Sequence, residues 1–154
     1  MKAAVVIIGF FVFVSCANRQ GQEKYHVFHE EKWNTDSIVA ISLSELDTNS
    51  SYNMALKVRH NIDYEYQNLF LFVDFQDKRD TVEIILSEKS GRWIGRGFGD
   101  IKEQEILFKD QVFFSKEKQN KLFFEQAMRY GDRESINELK GIIAIGVGVN
   151  QNDK

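Results

Sequence analysis

Short apolar runs broken by polar turns dominate this chain, and in the clearest of them the apolar residues fall on every second position. Residues 52–59 read YNMALKVR. Tyr52, Met54, Leu56 and Val58 face one way, and Asn53, Ala55, Lys57 and Arg59 mainly the other. A helix, with its period of 3.6, would scatter these four side chains around its circumference. A strand gathers them on one face. Similar runs occur at residues 38–43 (IVAISL), 69–75 (LFLFVDF), 81–86 (TVEIIL), 106–114 (ILFKDQVFF) and 141–149 (GIIAIGVGV). The run at 69–75 is nearly continuous and reads as a central strand. It pairs with 81–86 as a hairpin across the polar turn Gln76-Asp77-Lys78-Arg79. Glycines in the last run weaken strand propensity but permit close backbone approach. The pattern predicts an all-β fold, a single β-sandwich. Ten of the thirteen phenylalanines follow residue 15, mostly inside these strands, and are assigned to the core.

Two segments are less determined. Residues 116–130 (KEKQNKLFFEQAMRY) hold many good helix formers. They also fit a strand over 121–128, with Leu122, Phe124, Gln126 and Met128 on one face. Residues 132–140 form a short helix or a charged loop.

The chain has one cysteine and no proline in 154 residues. A single cysteine excludes an internal disulfide and a Cys-rich zinc site. Its position is informative. Lys2 is the only charge before Arg19, and residues 3–14 read AAVVIIGFFVFV. That run is shorter than the roughly 20 apolar residues a bilayer-spanning helix needs. A basic start, a short apolar stretch and a small residue, Ser15, are the parts of a secretory signal peptide. Phe13-Val14-Ser15-Cys16 resembles a lipobox, the processing site of bacterial lipoproteins, although Phe13 stands where leucine is usual. In such proteins lipid joins the cysteine sulfur and the chain is cut just before it. The thiol is required because sulfur is the nucleophile. Cys16 is therefore expected to be acylated. Residues 1–15 are then a signal peptide, 16–24 a polar lipid-anchored tether, 25–150 the β-sandwich and 151–154 a polar tail. No acidic residue directly follows Cys16, which favours the periplasmic face of the outer membrane.

Motifs for chemistry are sparse. The net charge of −3 argues against nucleic acid as a partner. His26, His29 and His60 do not have ligand spacing and read as solvated side chains, so no metal is expected. Asp74, Asp77 and Asp80 read as turn residues, without the glycine and glutamate of a calcium loop. There is no nucleophile elbow, HExxH or Walker A pattern. No catalytic residue and no cofactor is expected. Residues 90–101 (SGRWIGRGFGDI) stand apart. Their glycine spacing is not that of a dinucleotide loop. Glycine there supplies unusual backbone angles for a tight connection. Tryptophan and arginine also concentrate at interface hot spots. Arg92, Trp93, Arg96 and Phe98 are thus the candidate partner-binding residues.

A set of motifs in order carries a resemblance. Arg59-His60-Asn61, Tyr64, Tyr66 and Asn68 precede Leu69-Phe70-Leu71-Phe72-Val73. Asp80-Thr81 opens the next strand. Gly91-Arg92-Trp93-Ile94-Gly95 and Gly97-Phe98-Gly99-Asp100-Ile101 follow. Glu125-Gln126-Ala127-Met128-Arg129, Leu139, Gly141-Ile142 and Gly146-Val147 close the domain. Together with the lipobox, and over residues 25–150, the chain resembles the GldH gliding motility lipoprotein family of Bacteroidetes. Members tend to carry prolines near the Tyr-x-Tyr turn and before the late strand, where this chain has Glu65 and residues 115–121. The resemblance implies a strand at 121–128. It also implies a non-enzymatic envelope lipoprotein linked to gliding motility and type IX secretion. Its partners would be the membrane, through acylated Cys16, and other lipoproteins and envelope proteins of that machinery. From the residues alone, a carbohydrate-binding or polysaccharide-handling envelope lipoprotein is the alternative. A row of exposed rings at Tyr64, Tyr66 or Trp93 would favour it.

Overall fold

The computed structural model describes residues 21–44, 46–116, 120–132 and 135–152 of the chain. Cys16 and the expected signal peptide lie outside them. Strand β4 (Ser51–Asn61) is the centre of one sheet. All four of its alternating residues, Tyr52, Met54, Leu56 and Val58, are fully buried. It pairs antiparallel with β10 (Ile142–Gln151) on one side and β7 (Ile101–Phe113) on the other. Strand β1 (Gly21–Val27) completes the order β1-β10-β4-β7. The facing sheet has the order β3-β8-β5-β6, from β3 (Val39–Ser42), β8 (Lys121–Gln126), β5 (Asn68–Phe75) and β6 (Lys78–Ile85). A short pair, β2 (Lys32–Asn34) and β9 (Glu138–Lys140), forms a third, two-stranded sheet.

The core lies between the two larger sheets. Register places Val58 opposite Ile145, Leu56 opposite Val147 and Met54 opposite Val149. On the facing sheet Val73 sits opposite Phe124. All eight are fully buried, and each large apolar side chain so removed from water contributes about 1.5–3 kcal/mol before entropy. The 76–79 turn is tighter than expected. Phe75 already pairs with Lys78, leaving Gln76 and Asp77 as a two-residue turn with positive φ at both, the primed geometry that matches strand twist.

Unpaired sheet edges invite aggregation, and this sandwich laces its edges together with side chains. At one side the Lys24 ammonium donates to the Ser42 carbonyl at 2.7 Å, tying β1 to β3. At the other, Lys109 donates to Asp80 at 2.7 Å and Gln76 donates to the Phe113 carbonyl at 3.1 Å. Asp74 is likewise an ion-pair residue, held by Arg79. The glycines of β10 do permit close approach. A Cβ on Gly146 would fall 2.5 Å from the Tyr25 ring, which lies across the strand at that point.

Four expectations change. Residues 21–24 belong to β1 and not to a flexible tether, because their backbone pairs with β10 from Asn150 to Val147. Gln151 ends β10, so it is not tail. Within 132–140, Glu138–Lys140 is a strand, drawn out by pairing with β2. His60 is fully buried and not solvated.

Candidate functional site

The glycine-rich segment folds into two pinned turns. The first is a small hairpin. Ser87 pairs with Trp93, Glu88 N–H donates to the Arg92 carbonyl at 2.8 Å, and Ile94 N–H donates to the Leu86 carbonyl at 2.9 Å. Arg92 and Glu88 form a two-pronged ion pair across it. That hydrogen bond to Arg92 holds the Glu88 carboxyl below its usual range. The second turn lies along the free edge of β7. Arg96 N–H donates to the Glu103 carbonyl at 2.8 Å and Glu103 N–H returns to the Arg96 carbonyl at 2.6 Å.

This edge pairing explains the glycine spacing. A Cβ on Gly95 would lie 2.7 Å from the Glu103 carbonyl oxygen, and one on Gly97 only 2.1 Å from the Ile101 carbonyl oxygen. Both contacts are with backbone, which cannot rotate away. We therefore expect Gly97→Ala to break the Arg96–Glu103 pairing while the sandwich stays folded. Hydrogen exchange should show protection lost at those two amides and kept in β4.

Glu103 anchors the loop from the other side as well. Its carboxylate accepts from the Tyr25 hydroxyl at 3.0 Å and from the Arg59 guanidinium, whose Cζ lies 4.1 Å from the Tyr25 ring centre. Neighbouring Lys57 reaches Glu23 and Glu105, the latter at 3.3 Å. Burial works against the Lys57 charge, but the hydrogen bond to Glu23 and the nearby carboxylates win, and its pKa is pushed up to about 12.

The four candidate residues differ in their surroundings. Phe98 is 99% exposed, and Ile94 and Ile101 in the same segment are partly exposed. The Arg92 and Arg96 side chains are exposed. Trp93 is only half-exposed, and its ring centre lies 4.6 Å from that of His60. It serves mainly to pin the loop to the core.

Sequence reasoning missed the layer beneath. Rings run from Trp93 through His60, Tyr64 and Tyr66 to Tyr130, with neighbouring centroids 4.6–6.2 Å apart. Tyr64 is buried and donates to the Asn68 carbonyl at 2.8 Å. His60 Nδ1 bonds the Asn61 carbonyl at 2.9 Å, which fixes the proton on that nitrogen. Its Nε2 has no partner among the described residues. Tyr66 and Tyr130 border an open depression of about 600 Å³, floored by Phe70 and Met128 and rimmed by Asn68 and Glu83. The sequence suggests Tyr64, Tyr66 and Trp93 as a row of exposed rings, but not that His60 joins them beneath the loop.

His60 gives the protein a pH dependence. Burial lowers its pKa below the ordinary 6.5, the bond to Asn61 opposes this, and Lys102 adds to it. Above that value the ring is neutral in both folded and unfolded chains. As pH falls below it, the unfolded chain takes up the proton first, so stability falls. Thermal unfolding from pH 8 to 5 should show this loss, and the gap between wild type and His60→Phe should change only below about pH 6.5.

Comparison of the sequence with known proteins identifies its family. The family model described as GldH lipoprotein matches residues 20–149. The chain belongs to the GldH lipoprotein family. Among similar proteins, one named gliding motility lipoprotein GldH homolog, from Christiangramia forsetii, is 34% identical over 97% of this chain and 94% of its own length. The gliding motility lipoprotein GldH of Flavobacterium johnsoniae is 31% identical over 99% of this chain and 98% of its own. These GldH relatives match the chain almost end to end. Among solved structures, the tobacco streak virus coat protein dimer aligns over 86% of this chain and 87% of its own at 9% identity. Its TM-score of 0.32 is too low to bear on fold or function.

Proposed function

We propose that this GldH-family protein is a non-enzymatic envelope lipoprotein of the gliding motility and type IX secretion machinery. Acylated Cys16 confines the β-sandwich to a membrane surface, at the periplasmic face of the outer membrane. Confinement raises its effective concentration near partners without new contacts. The loop spanning residues 91–100 is the contact surface for other lipoproteins and envelope proteins. One observation carries this reading: Phe98 is 99% exposed on a loop whose backbone is bonded at both turns. Leaving a large apolar ring in water is costly, and a rigid mount keeps the ordering cost of docking low. Crosslinking in native membranes followed by affinity capture tests it. Recovery of motility and secretion lipoproteins supports the proposal, and enrichment of glycans without them overturns it.

The second reading, carbohydrate binding, is favoured by the depression between Tyr66 and Tyr130. Its size suits a small ligand, and tyrosine rings beside Asn68 and Glu83 offer stacking surfaces and hydrogen-bonding groups. The anticipated row of exposed rings is reduced, since Tyr64 is buried and Trp93 packs on His60. Glycan capture that is lost in Tyr130→Ala would support this second reading.

A further inference from the structure

Strand register fixes where the Phe98 loop lies relative to the chain's N-terminal side. Gly21 pairs with Asn150, and Asn150 with Asn53. Ile101, just beyond the loop, pairs with Asn61 at the other end of β4. The eight residue steps from Asn53 to Asn61 extend about 26 Å. Phe98 projects from the end opposite to Gly21.

Five peptide units join Cys16 to Gly21, and fully extended they span at most about 18 Å. A domain inverted to bury Phe98 in its own bilayer would hold Gly21 more than about 26 Å above the surface, beyond that reach. Laying the strands flat would press a whole sheet face of ion-paired side chains, Lys57 and Arg59 with Glu23, Glu103 and Glu105, or Arg79 with Asp74 and Glu125, against the lipid.

Charge at the loop points to the kind of partner. Glu88 neutralises Arg92, and Arg59 neutralises Glu103. Lys89, Arg96 and Lys102 form no ion pair among the described residues, and within residues 89–102 the one acid is Asp100, although Glu65 and Glu83 line the depression that Lys89 also borders. The loop is thus a basic patch with an apolar tip on an otherwise acidic protein.

We infer that Phe98 is a membrane-distal plug for a protein partner presenting an apolar pocket rimmed by carboxylates, not a membrane-inserting group. This rests on the proposal that the loop is a contact surface and that Cys16 carries the anchor. Rim charges set the approach and register of a complex, while the buried ring sets its lifetime.

The test uses the full-length protein in living cells. p-Benzoylphenylalanine replaces Phe98, or Phe113, an exposed ring at the Gly21 end, as control. Phe98 is almost wholly solvent-exposed, so the probe should not disturb the fold. Illumination should give one discrete protein adduct from position 98 and not from 113. Its crosslinked peptide should be apolar with flanking acidic residues. Adding Lys89→Glu and Arg96→Glu should lower the yield at least about tenfold. A lipid adduct at 98, no adduct, or a protein adduct indifferent to charge reversal would each overturn the inference. Intact mass of the same sample reports acylation of Cys16 separately. An unacylated Cys16 removes the reach argument, whereas acylation without a position-98 protein adduct defeats the docking site itself.

Discussion

Cells fed an alkyne-tagged fatty acid should label this protein at Cys16, and Cys16→Ser should abolish the label. The effect is all-or-none because the chain has a single thiol, and a serine hydroxyl is too weak a nucleophile to replace it. Each buried methylene is worth about 0.8 kcal/mol, so one acyl chain binds marginally and two or more hold firmly. Wild-type protein should therefore remain with membranes through washing and begin at Cys16 by intact mass. The serine variant should accumulate as a chain still carrying residues 1–15. Melting of the sandwich should be unchanged, because its first strand begins at Gly21. Label retained in Cys16→Ser would end the tethering proposal.

The second large effect is on stability. Trp33→Ala should cost about 3–5 kcal/mol, a large part of the 5–15 kcal/mol a typical domain has. Trp33 is fully buried on the three-residue strand β2. Its ring stacks on Phe28 at 4.7 Å, faces Leu139 across the strand pair, and donates from Nε1 to the Ser37 carbonyl at 3.0 Å. Alanine leaves a large cavity and strands that carbonyl. A fall in Tm of roughly 10–20 °C is expected for a domain this size. Trp33→Phe keeps the stacking and should recover more than half of the loss. If Trp33→Ala melted within a few degrees of wild type, this third sheet would be dispensable to the fold.

The contrast between β4 and β2 shows what was legible. Tyr52, Met54, Leu56 and Val58 declared a strand because alternation is a local property of the backbone. Leu122, Phe124 and Gln126 alternate in the same way in β8, but helix propensity competes there and the family resemblance tips the reading to strand. The expected end at 128 is too late, since the strand stops at Gln126 and Met128 lies beyond it. All eight are buried. By contrast, Lys32-Trp33-Asn34 and Glu138-Leu139-Lys140 each hold one apolar residue between polar ones, which defines no period. They are strands because they meet each other across the fold. His60 was legible by the alternation of β4: it continues the even-numbered face after Val58, and the solvated reading overlooked that parity. Trp93 and Tyr64 pack against its ring.

For the candidate site, glycine interleaved with aromatic and basic residues singled out a segment that the structure folds into two pinned turns. It did not divide the roles within it. Trp93 and Phe98 look alike in sequence, yet one pins the loop and the other is free in solvent. Exposure depends on what lies opposite in space, and here that is set by Glu103, held by Tyr25 and Arg59 from two other strands.

The amino-acid order by itself determined the strand period, the all-β class and the position of the only thiol, because each is written in neighbouring residues. The tertiary structure alone decided that β10 runs between β1 and β4, that glycines 95 and 97 let a loop cap the β7 edge, and that Phe98 and Gly21 lie at opposite ends. Those features follow from backbone hydrogen bonds between residues far apart in the chain, and no local pattern encodes which strand will find which edge.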